Sequence, residues 1–125
     1  MPNNGALQVH ELRGPRWELA ISLLESGEAP VLLGNVQLWR STSGPQADGR
    51  IQVTVEVGER ASEAVARDAL RQAHETVDAA AASDEVFAKL LLEHRPRWEV
   101  VHNYGMGTTL VASQDRDGNV VYPPH

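Results

Sequence analysis

The side chains best suited to chemistry in this sequence are concentrated in the stretch HNYGMGTT, residues 102–109. His102 is the candidate general base, because an imidazole exchanges protons near neutral pH. The two glycines of this stretch would allow backbone N–H groups to face an anion, but phosphate-binding glycine loops lie between a strand and a helix. The residues after this turn favour a strand. We therefore predict a β-hairpin here.

No catalytic partner for His102 is identifiable from sequence spacing. The serines lack a nucleophile-elbow motif, the five histidines show no metal-binding spacing, and there is no cysteine. The segment DRDGN, residues 115–119, begins like a calcium loop, but Val120 stands where that loop needs glycine. We interpret Asp117–Gly118 as a turn. We expect no metal site and no cofactor. Whether the protein is an enzyme is left open by the sequence, and we favour a non-enzymatic role.

The sequence PRWE occurs at 15–18 and again at 96–99. The residues after the first copy tolerate a helix, whereas those after the second prefer a strand, so we do not predict an internal duplication. We interpret the repeat as a coincidence. A ligand clamp built from both copies is the alternative, because arginine and tryptophan are favoured at binding sites. Such a clamp would include the basic residues around the two copies, which are Arg13, Arg16, Arg95 and Arg97.

Binding is expected at aromatic and charged side chains of the predicted strands. The candidate binding residues are Trp39, Arg97, Trp98, Glu99, His102 and Tyr104. Alternation along a strand places Trp98, His102 and Tyr104 on one face and Glu99 on the other. Whether the first of these faces is core or a ligand cleft is left open by the sequence.

The elements that position these residues follow from hydrophobic periodicity. RIQVTVEV, residues 50–57, alternates as a half-buried strand does, and residues 60–82 carry an alanine-rich stripe typical of a long helix. Ser83 is the expected N-cap of a short second helix at 84–94, with Val86, Phe87, Leu90 and Leu91 directed inward. Residues 16–26 fit a helix or a strand, and we favour the helix because Pro15 and Gly27 suit its ends. The tail is expected to form three short antiparallel strands.

The chain has 125 residues, 17 acids, 11 bases and a net charge of −6. Such a charge makes nucleic acid an unlikely partner and favours a basic protein. The amino terminus lacks the features of a secretory signal, and no apolar run approaches the roughly 20 residues that span a bilayer. We expect a cytoplasmic protein that makes no membrane contact and forms a single domain over 1–125, with 1–5 and 123–125 flexible.

The predicted fold class is α+β, with an antiparallel sheet of about five or six strands packed on the long helix and the short helix beside it. The leading functional hypothesis is a small acidic binding protein that recognises another protein, as an inhibitor, an immunity-type protein or a regulatory factor does. A small-molecule-binding or hydrolytic domain is one alternative, with a pocket between sheet and helix around His102 that is lined by Arg97, Glu99 and Tyr104. A structural homo-oligomer, including a homodimer formed by edge or face pairing of sheets, is the other.

Overall fold

The computed structural model describes residues 6–40, 42, 49–58, 60–104, 107–114 and 117–121, without the side chains of 103, 104 and 107–110. The strands are β1 (Leu7–Val9), β2 (Val31–Leu33), β3 (Val36–Arg40), β4 (Ile51–Val57), β5 (Arg97–Tyr104), β6 (Gly107–Gln114) and β7 (Val120–Val121). The helices are α1 (Gly14–Ser26), α2 (Glu63–Ser83) and α3 (Glu85–Glu93). The termini expected to be flexible lie outside the described residues.

The sheet differs from the prediction in size and in strand direction. Its described strands number seven, in the spatial order β1 to β7, and it is mixed rather than antiparallel. The parallel pairs are β1 with β2 and β4 with β5. Helix α1 connects the first pair, and α2 with α3 connects the second. Because a helical crossover returns the chain to the end of the sheet at which the first strand began, the two strands that it connects are parallel. The α+β class itself is confirmed.

Helix α1 resolves the ambiguity of residues 16–26 in favour of the helix. Pro15 lies in its first turn, and Gly27 ends it in the left-handed conformation at φ 74°, donating its N–H to the carbonyl of Leu23. A Cβ at Gly27 would lie 2.7 Å from the Arg40 carbonyl oxygen. Glycine is therefore needed at this position both for its backbone angle and for the close approach of β3.

Helices α2 and α3 lie close to the predicted ranges, but their junction is one residue away from the expected cap. Ser83 is the last residue of α2, and Asp84 caps α3 by accepting hydrogen bonds from the N–H groups of Val86 and Phe87. An aspartate accepts two such bonds at once with one oxygen and keeps the second oxygen available. The inward direction predicted for Val86 is wrong, because its side chain is 53% exposed.

One turn was not anticipated in the β-rich stretch around residues 31–40. Gly34 and Asn35 form a two-residue connection between β2 and β3, with Gly34 at φ 65°. A glycine–asparagine pair between apolar residues is a known hairpin signal. The three strands predicted for the tail are confirmed, and β5 and β6 change register between Val100 and Val101.

The hydrophobic core lies between the sheet and a single layer of helices. α1 packs on β1 to β3, and α2 packs on β4 to β6. Alternate residues of the strands are buried on this side, among them Leu38, Val53, Val55 and Val100. In the described part of the chain the helix contacts come from one side only. No described helix covers the other face of the sheet.

Candidate binding surface

The strand register divides the side chains of the sheet into two sets. Those directed toward the helices form the helix face, and the opposite set forms the open face. The described members of the open face are Gln8, Leu32, Gln37, Trp39, Gln52, Thr54, Glu56, Arg97, Glu99, Val101, Ser113 and Val121. This assignment follows because Cα partners in neighbouring strands share one face.

The open face is a mixed surface of amides, hydroxyls, apolar side chains and three charges. Its exposure varies from residue to residue: Trp39 is 37% exposed, Val121 is 44% exposed and Val101 only 8%. Gln37, Thr54, Glu99 and Ser113 occupy adjacent positions in one row across β3 to β6. Such a surface offers hydrogen-bonding groups and apolar area together, as protein interfaces do.

Trp39 is the second-to-last residue of β3 and lies on the open face, beside Gln52 of β4. Its indole Nε1 donates to the carbonyl oxygen of Gly27 over 3.4 Å. This bond ties the ring to the loop at the end of α1 while part of the ring stays accessible to solvent. A restrained, partly exposed indole gives contact area at a small entropic cost, which is the property of a binding anchor.

Arg97 and Glu99 are the second part of this surface. Arg97 continues the row of Trp39 and Gln52, and Glu99 lies two residues further along the same strand. Arg97 is exposed and Glu99 half-buried. The structure therefore brings three of the six predicted binding residues, Trp39, Arg97 and Glu99, to one face.

Trp98 is a core residue on the helix face, with 9% of its surface exposed. The imidazole of His74 stacks on its indole with a centroid distance of 3.6 Å and an interplanar angle of 16°. His74 Nε2 lies 2.8 Å from Gln114 Oε1, and the amide of Gln114 donates to the carbonyl of Gly118. The sequence pattern predicts no role for His74. The stacking was not visible from its position beside charged residues on α2.

His102 also lies on the helix face, paired with Val57 of β4 and half-buried. Its Nε2 atom is buried. Tyr104 pairs with Gly107 in the β5–β6 ladder, and its side chain is outside the described part of the structure. The residues proposed around a hydrolytic pocket are thus divided, because Arg97 and Glu99 lie on the opposite face from His102.

The two PRWE copies have different structural roles. Trp17 of the first copy is 3% exposed within α1 and donates its indole N–H to Asp84 Oδ2 at 2.6 Å. Its ring meets Phe87 edge to face at a centroid distance of 5.3 Å. The second copy begins β5. Because the first copy lies in a helix and the last three residues of the second copy lie in a strand, the copies are not a duplicated structural unit. This agrees with the prediction that the chain contains no internal duplication.

The basic residues around the two copies are not brought together. Arg16 donates to the carbonyl of Gln8 in β1, whereas Arg97 lies in β5. Strands β1 and β5 are separated by three others in the sheet, which corresponds to roughly 19 Å at a spacing of about 4.8 Å. The structure therefore does not favour a clamp made from both copies.

Within the described residues, no group of three or more His, Asp or Glu side chains is placed to hold a metal ion. None of the helices in that part of the chain combines the length and the apolar composition needed to cross a bilayer. Comparisons with protein-family models, with curated proteins and with solved structures found no significant match to this chain.

Proposed function

We propose that this chain is a non-enzymatic binding protein and that the open face of its sheet recognises another protein. The observation that carries the proposal is the division of the sheet into a buried helix face and an open face. A sheet in a two-layer domain commonly exposes one side, but that side is then usually polar. Here it includes a tryptophan, a leucine and valines beside its amides.

Trp39 is the expected centre of the binding energy. Tryptophan and arginine are the side chains most often found at interface hot spots, and Trp39 and Arg97 belong to one row of the open face. The glutamines and Thr54 around them supply donors and acceptors for a polar surround. The arrangement has the elements of an interface, which are an aromatic anchor, a charged neighbour and hydrogen-bonding groups.

The acidic charge is distributed in a way that limits the kind of partner. The helices together with Asp84 carry nine acids and four bases, whereas the open face carries two acids and one base. A strongly basic protein would be drawn to the helix layer, because electrostatic attraction follows the local charge. A partner of the open face is expected to be close to neutral where it makes contact.

The test compares two single variants in a binding experiment. Immobilised wild type, Trp39→Ala and Leu92→Ala are exposed to lysate of the native host, and captured proteins are quantified by mass spectrometry. Leu92 is the matched control, because it is 81% exposed on α3 and its loss removes apolar surface away from the open face. Circular dichroism establishes that both variants are folded.

The expected result is a stoichiometric partner that binds wild type and Leu92→Ala equally. Trp39→Ala should weaken this partner by at least about 30-fold, the loss that corresponds to about 2 kcal/mol at a hot spot. The complex should lose little affinity at high salt, since the open face carries only three charges, Glu56, Arg97 and Glu99. A partner that is insensitive to Trp39→Ala, or that is released by salt from all three proteins alike, would place recognition elsewhere.

A further inference from the structure

We infer that the partner of the open face is a second copy of this chain, which docks face to face to form a symmetric dimer. The inference rests on the proposed function, because it names the protein that the open face binds. Three features of the structure support a second copy: the distribution of charge, the pattern of charge on β5, and the size of the face relative to its edges.

The distribution of charge favours association through the open face. Two copies of a protein with a net charge of −6 repel each other, and the repulsion is smallest where the meeting surfaces are neutral. In the described elements the helices together with Asp84 carry five more acids than bases, whereas the open face carries only one more acid than bases. Face-to-face docking places the two acidic helix layers on the outside of the dimer.

The open face is also self-complementary along β5. A symmetric interface repeats one patch on both subunits, so residue i meets j and j meets i. If the two-fold axis lies in the interface plane, perpendicular to β5 and level with Trp98, Arg97 faces the partner's Glu99 and Glu99 faces the partner's Arg97. Packed sheets are separated by about 10 Å, a gap that an arginine and a glutamate span together. The same axis sets Trp39 opposite the partner's Gln37.

The dimensions of the face suit a dimer, and the edges of the sheet do not. The strands span roughly 29 Å across at a spacing of about 4.8 Å, and the central strands are roughly 17–26 Å long. The projected area is on the order of 600 Å², comparable with the roughly 800 Å² that each partner contributes to a standard interface. The edge strands β1 and β7 have three and two residues, too few for a stable continuation of the sheet.

The test is a charge-swap series measured by sedimentation equilibrium across the micromolar range. The variants are Arg97→Glu, Glu99→Arg and the double variant with both changes. Each single change places like charges opposite one another twice in the symmetric dimer, and we expect dimer dissociation constants at least tenfold higher. The double variant restores the opposition of unlike charges, and we expect it to return to within about threefold of wild type.

The control is Arg67→Glu, the same change of charge on α2, where Arg67 pairs with Glu63 at 3.2 Å on the helix layer. It should leave the dimer unchanged. A wild type that is monomeric at all concentrations overturns the dimer but leaves the proposed function standing, because lysate capture that depends on Trp39 is measured separately. A dimer that is indifferent to the single changes, or that the double variant fails to restore, overturns the docking geometry.

Discussion

Asp84 lies at a junction of all three helices, and its replacement should destabilise the protein more than the loss of a helix cap alone. Its Oδ1 accepts the N–H groups of Val86 and Phe87 at 2.8 and 3.2 Å, and its Oδ2 accepts the indole N–H of Trp17 at 2.6 Å. Its own N–H donates to Ala80 at the end of α2. Asp84 therefore links α1 to the α2–α3 connection.

The expected magnitude follows from two separable losses. Removing a side-chain cap costs about 1 kcal/mol, and leaving a buried indole N–H without an acceptor costs about 1–3 kcal/mol. Asp84→Ala should therefore lower the free energy of unfolding by about 2–4 kcal/mol. For a chain of this length about 4 °C of Tm corresponds to each kcal/mol, so Tm should fall by roughly 8–16 °C.

Asp84→Asn separates the two contributions. The asparagine oxygen can still cap α3, but its amide nitrogen is a donor and cannot accept from Trp17. We expect this variant to lose the indole contribution and keep the cap. Ser62→Ala is the control for a cap alone, since Ser62 accepts only the N–H of Val65 among its described bonds, and it should cost about 1 kcal/mol.

Urea unfolding of the single variants and of a double-mutant cycle with Trp17→Phe measures these terms. In the Trp17→Phe background there is no indole N–H to satisfy, so Asp84→Asn should cost less than about 0.5 kcal/mol. Additive losses in the cycle, or an Asp84→Ala that is no more destabilising than Ser62→Ala, would refute the role assigned to Asp84.

The pH dependence of this contribution has a defined sign. The hydrogen bond from Trp17, followed by those from the backbone of Phe87 and Val86, lowers the pKa of Asp84 against the opposing effect of burial. The stabilisation is fully present above the ordinary aspartate pKa of about 3.9 and is lost as the pH falls through the lower folded value. The gap between wild type and Asp84→Asn should therefore narrow in acid, and a gap that widens would contradict the assignment.

Two further predictions concern backbone and packing. Gly27→Ala should lower Tm more than Gly34→Ala. Both residues have positive φ, which costs alanine about 1 kcal/mol of strain. Only at Gly27 would the new Cβ collide with the Arg40 carbonyl, because nothing lies within 4 Å of a Cβ at Gly34. Equal losses of Tm would show that the collision is relieved by movement of β3. His74→Ala should lower the free energy of unfolding by about 1–2 kcal/mol, because the substitution removes an aromatic stack and a hydrogen bond. The control is His10→Ala, which should change the free energy of unfolding little because His10 is exposed. Calorimetry tests both pairs, and matched losses for the two histidines would deny the stack any role in stability.

The local elements were largely predictable from the sequence because their signals act over a few residues. The alternation of residues 51–57 predicted β4, and the alanine-rich stripe predicted α2. The opposite-charge pairs Glu63–Arg67 and Arg71–Glu75 are present at 3.2 and 2.7 Å. The Asp84 cap was missed by one residue, because serine and aspartate are both good caps and only backbone geometry decides between them.

The sequence by itself determined the α+β class, the positions of most helices and strands and the two-sided character of the central strands, since each depends on the period of apolar residues and on local end signals. Only the tertiary structure decided strand order and direction, which side of the sheet the helices cover, and which distant side chains meet. The Trp17–Asp84 bond and the His74–Trp98 stack join residues 67 and 24 positions apart, and no local pattern encodes such pairs. The open face has the same origin: alternation shows that a strand has two faces, but the packing of the helices determines which one no described helix covers.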